Sequence, residues 1–250
     1  MAGHSKWANI KHRKGAQDKK RGKIFTKLIK EISVAAREGG GDPEANPRLR
    51  LAIQNAKGQN MPKDNIERAI KKATGSDSVE YFEPTYEGYA PHGVAVFVEC
   101  ATDNLNRTVA AVRAVFSKYG GNLSVNGSVD YMFERKGVFL IKQEEEQNID
   151  QDELTLELID GGAEEVDFGE GYIHVTTIME DFGNMQSKLD ELGLEAESSE
   201  LQRIPTTVVD LGDEEFGQVM KLIDALEDDD DVQKVYHNLN ATEEQLATLD

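Results

Sequence analysis

Eight cations crowd the first 23 residues: Lys6, Lys11, Arg13, Lys14, Lys19, Lys20, Arg21 and Lys23 are opposed only by Asp18. Lysine supplies a mobile point charge and arginine a planar fork, and both displace the counterions that condense on a phosphate backbone. Trp7 adds a ring able to stack on a base. Arg48, Arg50, Lys57, Lys63, Arg68, Lys71 and Lys72 extend the basic character to residue 72. A basic tail can be plain solvated surface, but this one belongs to a chain of formal charge −19. Residues 1 to 75 hold 18 Lys and Arg against 7 Asp and Glu, a net of +11, whereas residues 76 to 250 hold 10 against 40, a net of −30. One end should attract a polyanion and the other should repel it. Lys6, Trp7 and these cations are therefore the candidate nucleic-acid-binding residues.

Catalytic and metal-binding chemistry finds no support in the spacing. Gly15 to Gly22-Lys23 has six intervening residues and no Ser or Thr after the lysine, so it is not a phosphate-cradling loop. Gly169-Glu170-Gly171 lacks the rest of a dinucleotide fingerprint. His4, His12, His92, His174 and His237 are scattered and have no cysteine-rich partner, so no zinc set is expected. Cys100 ends the apolar run VAVFVECAT, where a buried thiol is the simpler reading than a nucleophile. The run Asp228 to Asp231 lacks the alternating ligands and turn glycine of a calcium loop and reads as a solvated connection. Thr102-Asp103-Asn104 reads as a helix N-cap and Gly120-Gly121-Asn122 as a helix end. No catalytic residue, metal or cofactor is expected.

The elements that must position the cations follow from periodicity. Self-repulsion predicts a loose arm over 1–23. Phe25, Leu28, Ile29, Ile32, Ala35 and Ala36 then share one helical face, and Gly39 to Gly41 stop it. Asn46-Pro47 opens a second helix with Leu49, Ala52, Ile53 and Ala56 inward, ended by Gly58, and a third runs from Pro62 to Gly75 over Ile66, Ala69 and Ile70. Beyond Gly75 the period changes. Val94 to Glu99 reads as a strand, Leu105 to Tyr119 as a helix and Val129 to Phe133 as a strand. Val138 to Ile141 with helix 152–160, Tyr172 to Ile178 with helix 181–192, and Thr206 to Leu211 with helix 213–226 repeat that grammar, each followed by a short strand. Four such units fit two ferredoxin-like domains better than one large parallel sheet, because no stretch is apolar enough for a sheet covered on both faces. How the units pair stays open at this point. One cysteine and no apolar leader point to a reducing cytoplasm, and the longest aliphatic and aromatic run, Val94 to Val98, is too short to cross a membrane.

The stretches AGHSKWANIKHRKGAQDKKRGKIFTKLIKEI, GGGDPEANPRLRLAIQNAKGQNMPKDNIERAIKKA, YEGYAPHGVAVFVECATDNLNRTVAAVRAVFSKYGGNL and GSVDYMFERKG resemble the YebC family of bacterial and organellar gene-expression proteins. The resemblance runs along essentially the whole chain, with the acidic last third matched more by pattern than by distinctive words. Ala90 and His92 stand where that family often carries glycines in a Gly-Pro-Gly-Gly turn.

The resemblance implies an α+β architecture: a helical bundle plus two ferredoxin-like α/β domains, the second inserted into the first. The boundaries expected are a basic arm at 1–23, a bundle at 24–80, a first α/β domain at 81–135 plus 205–240, the inserted domain at 136–204, and a tail at 241–250. It also implies a non-enzymatic cytoplasmic regulator of gene expression. The leading reading is a DNA-binding transcriptional regulator. The alternative is a ribosome-associated translational activator on ribosomal RNA, with the acidic domains engaging the ribosome or another protein, and an enzyme with a cleft between the α/β domains is the remote third. Asn9, Gln17, Gln54, Asn55 and Gln59 are the side chains in the basic region with the chemistry to read adenine.

Overall fold

Three helices follow the apolar spacing of the first third of the chain. The computed structural model describes residues 17–76, 78–143, 150–169 and 171–248, with side chains from Gly22 onward. Helix α1 (Gln17–Gly39) starts earlier than its apolar face, so residues 17–23, expected in a loose arm, are helical. Helix α2 (Pro47–Gly58) is capped by Asn46, whose Oδ1 accepts from the Leu49 amide at 3.1 Å. The same side chain donates from Nδ2 to the carbonyls of Ala35 at 2.7 Å and Gly40 at 2.8 Å, so one asparagine closes α1 and opens α2. Helix α3 (Lys63–Ala73) buries Ile66, Ala69 and Ala73.

The described residues divide into two compact units, each built from separated stretches of chain. One holds the residues up to Val34, Gly75–Phe133 and those from Pro205 on; the other holds Ala35–Thr74 and Glu134–Ile204. The first contains strands β1 (Thr85–Tyr89) and β2 (Ala95–Cys100), helix α4 (Leu105–Lys118) and strand β3 (Asn122–Leu123). After the insertion come β8 (Val209–Asp210), α7 (Asp213–Glu227), β9 (Val232–His237), β10 (Leu239–Asn240) and α8 (Glu243–Ala247). Its sheet has the order β3-β1-β2-β9, antiparallel throughout. Val94, Val96, Val98 and Cys100 pack with Val112 and Phe116 of α4 and with Phe216, Val219, Leu222 and Leu226 of α7. The alternate residues Ala95 and Phe97 pack instead with Val129, Phe133 and Tyr236. Both faces of β2 are thus covered, contrary to the expectation that no stretch is apolar enough for that, and this is why its sequence is apolar without alternation.

Two expectations fail in this unit. Val129 to Phe133 is not one strand: Asp130–Met132 form a 3-10 turn, and only Phe133 belongs to a strand. The amides of Val129 and Asp130 do not go to a strand neighbour. They donate to the buried carboxylate of Glu87 at 2.7 and 3.0 Å, joined by the Gly127 amide at 2.6 Å. Thr206 to Leu211 shrinks to the two residues of β8, parallel to β10. Strand β1 has no counterpart in the periodicity of the sequence. Its Gly88 is required by contact, because a Cβ there would lie 2.5 Å from the Asn122 carbonyl and 2.7 Å from the Phe116 ring. In the turn at Pro91–Gly93, His92 keeps a left-handed backbone at φ 63°, and its Nε2 lies 3.1 Å from Gln218 Oε1.

The second unit runs β4 (Phe133–Lys142), α5 (Gln151–Asp160), β5 (Ala163–Gly169), β6 (Tyr172–Ile178), α6 (Phe182–Glu191) and β7 (Ala196–Pro205), with sheet order β5-β6-β4-β7. This is the ferredoxin-like β-α-β-β-α-β arrangement. The first unit reaches the same layout by another connection, with β1 and β2 joined as a hairpin and α7-β9 supplied after the insertion. Phe139, Ile141, Ile173 and Val175 form the second core with Leu154 and Leu158 of α5 and Met185 and Leu189 of α6. Within this unit α2 lies against β7. Asn55 exchanges two hydrogen bonds with the Ser199 backbone at 3.0 Å each, and a Cβ on Gly58 would collide with the Glu197 carbonyl. The architecture is α+β, helices followed by two ferredoxin-like layers, the second inserted into the chain of the first.

Candidate nucleic-acid interface

Lys23, Lys27 and Lys30 stand at spacings of four and three on one face of α1, and in the first unit that face meets the C-terminal end of α7. Lys23 Nζ donates to the Asp228 carbonyl at 3.1 Å and to Asp228 Oδ1 at 3.0 Å. Lys27 Nζ donates to the Glu227 carbonyl at 3.0 Å. Lys30 Nζ reaches the Asp230 carbonyl at 2.6 Å, the Ala101 carbonyl at 3.2 Å and Asp231 Oδ1 at 2.9 Å. A helix C-terminus leaves carbonyls without intrahelical partners and carries the negative end of the dipole, so a row of ammonium groups suits it. The aspartate run, expected as a solvated connection, is instead where α1 docks.

Asp231 is the centre of this contact. Besides Lys30, its carboxylate accepts from Arg107 Nε at 3.1 Å and Nη2 at 2.7 Å, from Thr108 at 2.9 Å and from Thr102 at 3.1 Å. Burial alone would raise its pKa. The hydrogen bonds from Arg107, Lys30 and Thr108 outweigh that and hold it down at about 2. Asn104 caps α4 as the sequence predicts, accepting from the Arg107 amide at 3.1 Å, and Asp103 pairs with Arg107 Nη2 at 2.8 Å. Cys100 lies buried nearby. Desolvation first, then Asp229 and Asp231, pushes its thiol up to about 12, so it stays protonated and unreactive at neutral pH.

The remaining candidate residues fall into three groups. Lys6, Trp7, Lys11, Arg13 and Lys14 lie outside the described residues, as do the side chains of Lys19, Lys20 and Arg21. In the second unit, Arg48 pairs with Glu38, Arg50 donates to the carbonyls of Pro43 at 3.2 Å and Glu44 at 3.3 Å, and Lys63 pairs with Glu67 at 3.4 Å. Lys57, Arg68, Lys71 and Lys72 are exposed and make no ion pair among the described residues. Arg68, Lys71 and Lys72 share the solvent face of α3, opposite Ile66, Ala69 and Ala73, and Lys71 and Lys72 lie in its last turn, where cations complement the dipole. Of the adenine-reading candidates, Asn55 is withdrawn by its bonds to Ser199; Asn9 lies outside the described residues, as does the side chain of Gln17. No group of three or more metal-ligating side chains occurs among the described residues, and none of their helices is long and apolar enough to cross a membrane.

Known proteins resemble the chain along its length. Residues 5–76 match the TACO1/YebC protein N-terminal domain and residues 81–239 match the TACO1/YebC second and third domain. A "Probable transcriptional regulatory protein" of Amoebophilus asiaticus is 59% identical over 246 residues, covering 97% of this chain and all of that one. "Probable transcriptional regulatory protein IL1088" of Idiomarina loihiensis is 53% identical, with both chains fully covered. The crystal structure of the conserved hypothetical protein Aq1575 from Aquifex aeolicus superposes with a TM-score of 0.79 at 45% identity, over 90% of this chain and 92% of that one. Helices and inserted sheets in this order, with matches spanning both halves of the sequence, make the chain a member of the TACO1/YebC family.

Proposed function

We propose that this protein is a non-enzymatic, cytoplasmic regulator of gene expression that grips nucleic acid through phosphate contacts, acting on DNA as a transcriptional regulator. The observation that carries the reading is the exposed cationic face of α3, Arg68, Lys71 and Lys72 with Lys57 of α2, in a chain whose residues 76 to 250 are strongly acidic. The relatives' names as transcriptional regulators support the same level of function. In this reading the arm at 1–23 and the helical segment at 24–80 bind the polyanion. The segments at 81–135 and 205–240, with the insertion at 136–204, restrict the approach and offer an acidic surface to a protein partner. No cofactor takes part.

A second reading, ribosomal RNA as the target, is favoured by one observation: Asn55 spends its amide on Ser199, which removes one of the five side chains of the basic region able to read a base edge. Competition at near-physiological salt between a promoter fragment, scrambled duplex and ribosomes separates the two. A promoter preference of about a thousandfold over scrambled duplex supports specific DNA regulation. Equal binding to both duplexes with retention on ribosomes replaces it with translational control.

A further inference from the structure

Residues 76 to 250 are acidic in almost every element, and one helix departs from that pattern. Helix α4 holds no Asp or Glu, whereas α5, α6, α7 and α8 each hold at least two. Three of the ten Lys and Arg in those residues stand on it, Arg107, Arg113 and Lys118. Arg107 is engaged by Asp103 and Asp231. Arg113 and Lys118 are exposed and make no ion pair among the described residues, and Lys118 Nζ lies 5.2 Å from the centre of the neighbouring Tyr119 ring. Val112 and Phe116 turn one face of α4 into the first core, so the opposite face is left to solvent, with the short side chains of Ala110, Ala114 and Ser117 between the two cations.

An acidic body meets a polyanion most easily where its own field is reversed. The direction of α4 is also fixed, because Asp231 bonds both Arg107 of α4 and Lys30 of α1, the helix that continues the basic arm, within one unit. Five residues separate Arg113 from Lys118, about 7.5 Å along the helix axis, which is close to two nucleotide steps of one strand at about 3.4 Å each. We propose that the outward face of α4 is a second contact for the backbone of duplex DNA, with Arg113 and Lys118 each neutralising a phosphate. This rests on the DNA-binding reading above and extends it from the basic region to a helix of the first α/β domain. Such a contact orients the duplex on the protein and carries no sequence preference of its own.

The test is binding of the full chain to a short DNA duplex of arbitrary sequence across a salt series. Arg113→Gln combined with Lys118→Gln changes no buried side chain, so the melting temperature should hold. The log–log salt slope should become shallower by about 1.8, about 0.9 for each phosphate lost, so that between about 50 and 200 mM salt the advantage of the natural chain narrows about twelvefold. Arg113→Lys, which keeps the charge, should keep the natural slope. Lys221→Gln removes an exposed cation from α7, a helix with five carboxylates, and should leave the slope unchanged. Acetylation of lysine amines read by mass spectrometry needs no variant, and the duplex should protect Lys118 but not Lys221. An unchanged slope in the double variant overturns the proposal, as does a Lys221→Gln variant that lowers the slope as much as Lys118→Gln alone, or equal protection of the two lysines. Loss of poly-glutamate binding in place of duplex binding would transfer the face to an acidic protein, and an effect confined to an RNA hairpin would transfer it to RNA; either result overturns the assignment to DNA. If the natural chain binds no duplex, the DNA-binding reading has failed and this contact falls with it. If it binds, and only glutamine at Arg68, Lys71 and Lys72 flattens the slope, that reading stands and α4 is excluded.

Discussion

Asp231 ties its own segment to two others remote in sequence, α1 through Lys30 and residues 102–108 through Thr102, Arg107 and Thr108. Asp231→Asn would leave two cations facing a neutral amide, and the expected cost is about 2–4 kcal/mol of stability, read by urea denaturation. The pH dependence has a definite sign. The folded carboxyl titrates at about 2 against an ordinary 3.8, so its contribution is fully present above about pH 4 and is lost as pH falls towards 2. Acid titration of the natural chain should therefore lose about 2 kcal/mol more than Asp231→Asn over that window. Cys100, with its thiol at about 12, is expected to react with iodoacetamide at pH 8 far more slowly than a short cysteine peptide and at full rate in denaturant. Fast labelling of the folded chain would contradict the burial described.

Among the elements, α3 is the most direct functional prediction. Replacing Arg68, Lys71 and Lys72 together by glutamine changes no buried side chain, so the melting temperature should hold while the salt slope for duplex binding falls by roughly 0.9 for each phosphate that is no longer neutralised. Equal binding by the triple variant would remove α3 from the interface. Elements such as α3 are legible in the sequence because their reason is local: Ile66 and Ala69 repeat at helical spacing, and the Asn46-Pro47 pair announces the start of α2 shortly after the glycines that end α1. The failures share the opposite cause. Glu87 and Gly88 break the apolar alternation of β1, and their explanation lies in the amides of residues 127–130 and in the ring of Phe116. Val129 looks like strand because nothing near it in sequence reveals that a carboxylate 42 residues away takes its amide. The spacing of Lys23, Lys27 and Lys30 is visible, but its target is about 200 positions further on. Of the candidate interface, composition shows where the positive charge lies and cannot show which of it is already engaged.

At the scale of the whole molecule, the first unit's sheet is finished by segments on either side of an insertion. Of the 17 residues of its main core, ten, from Phe216 to Ala241, come after the second unit has been threaded. A chain ending at Ile204 is therefore expected to keep hydrogen-exchange protection in β4, β5 and β6 and to lose it in β1 and β2. Protection of β1 in that truncated chain would show that the first unit is stable without α7 and β9. The same division governs the order of events during synthesis. The inserted unit has all its strands once residue 205 has been made, while β1, β2 and α4 wait with unburied valines for a helix and an edge strand still to be translated. A nascent chain of this protein holds its earliest β-hairpin incomplete for about 100 residues. Premature termination between the end of β7 and the start of α7 thus yields a chain with one folded body and one sticky half, marked for chaperones or proteases rather than for partial function.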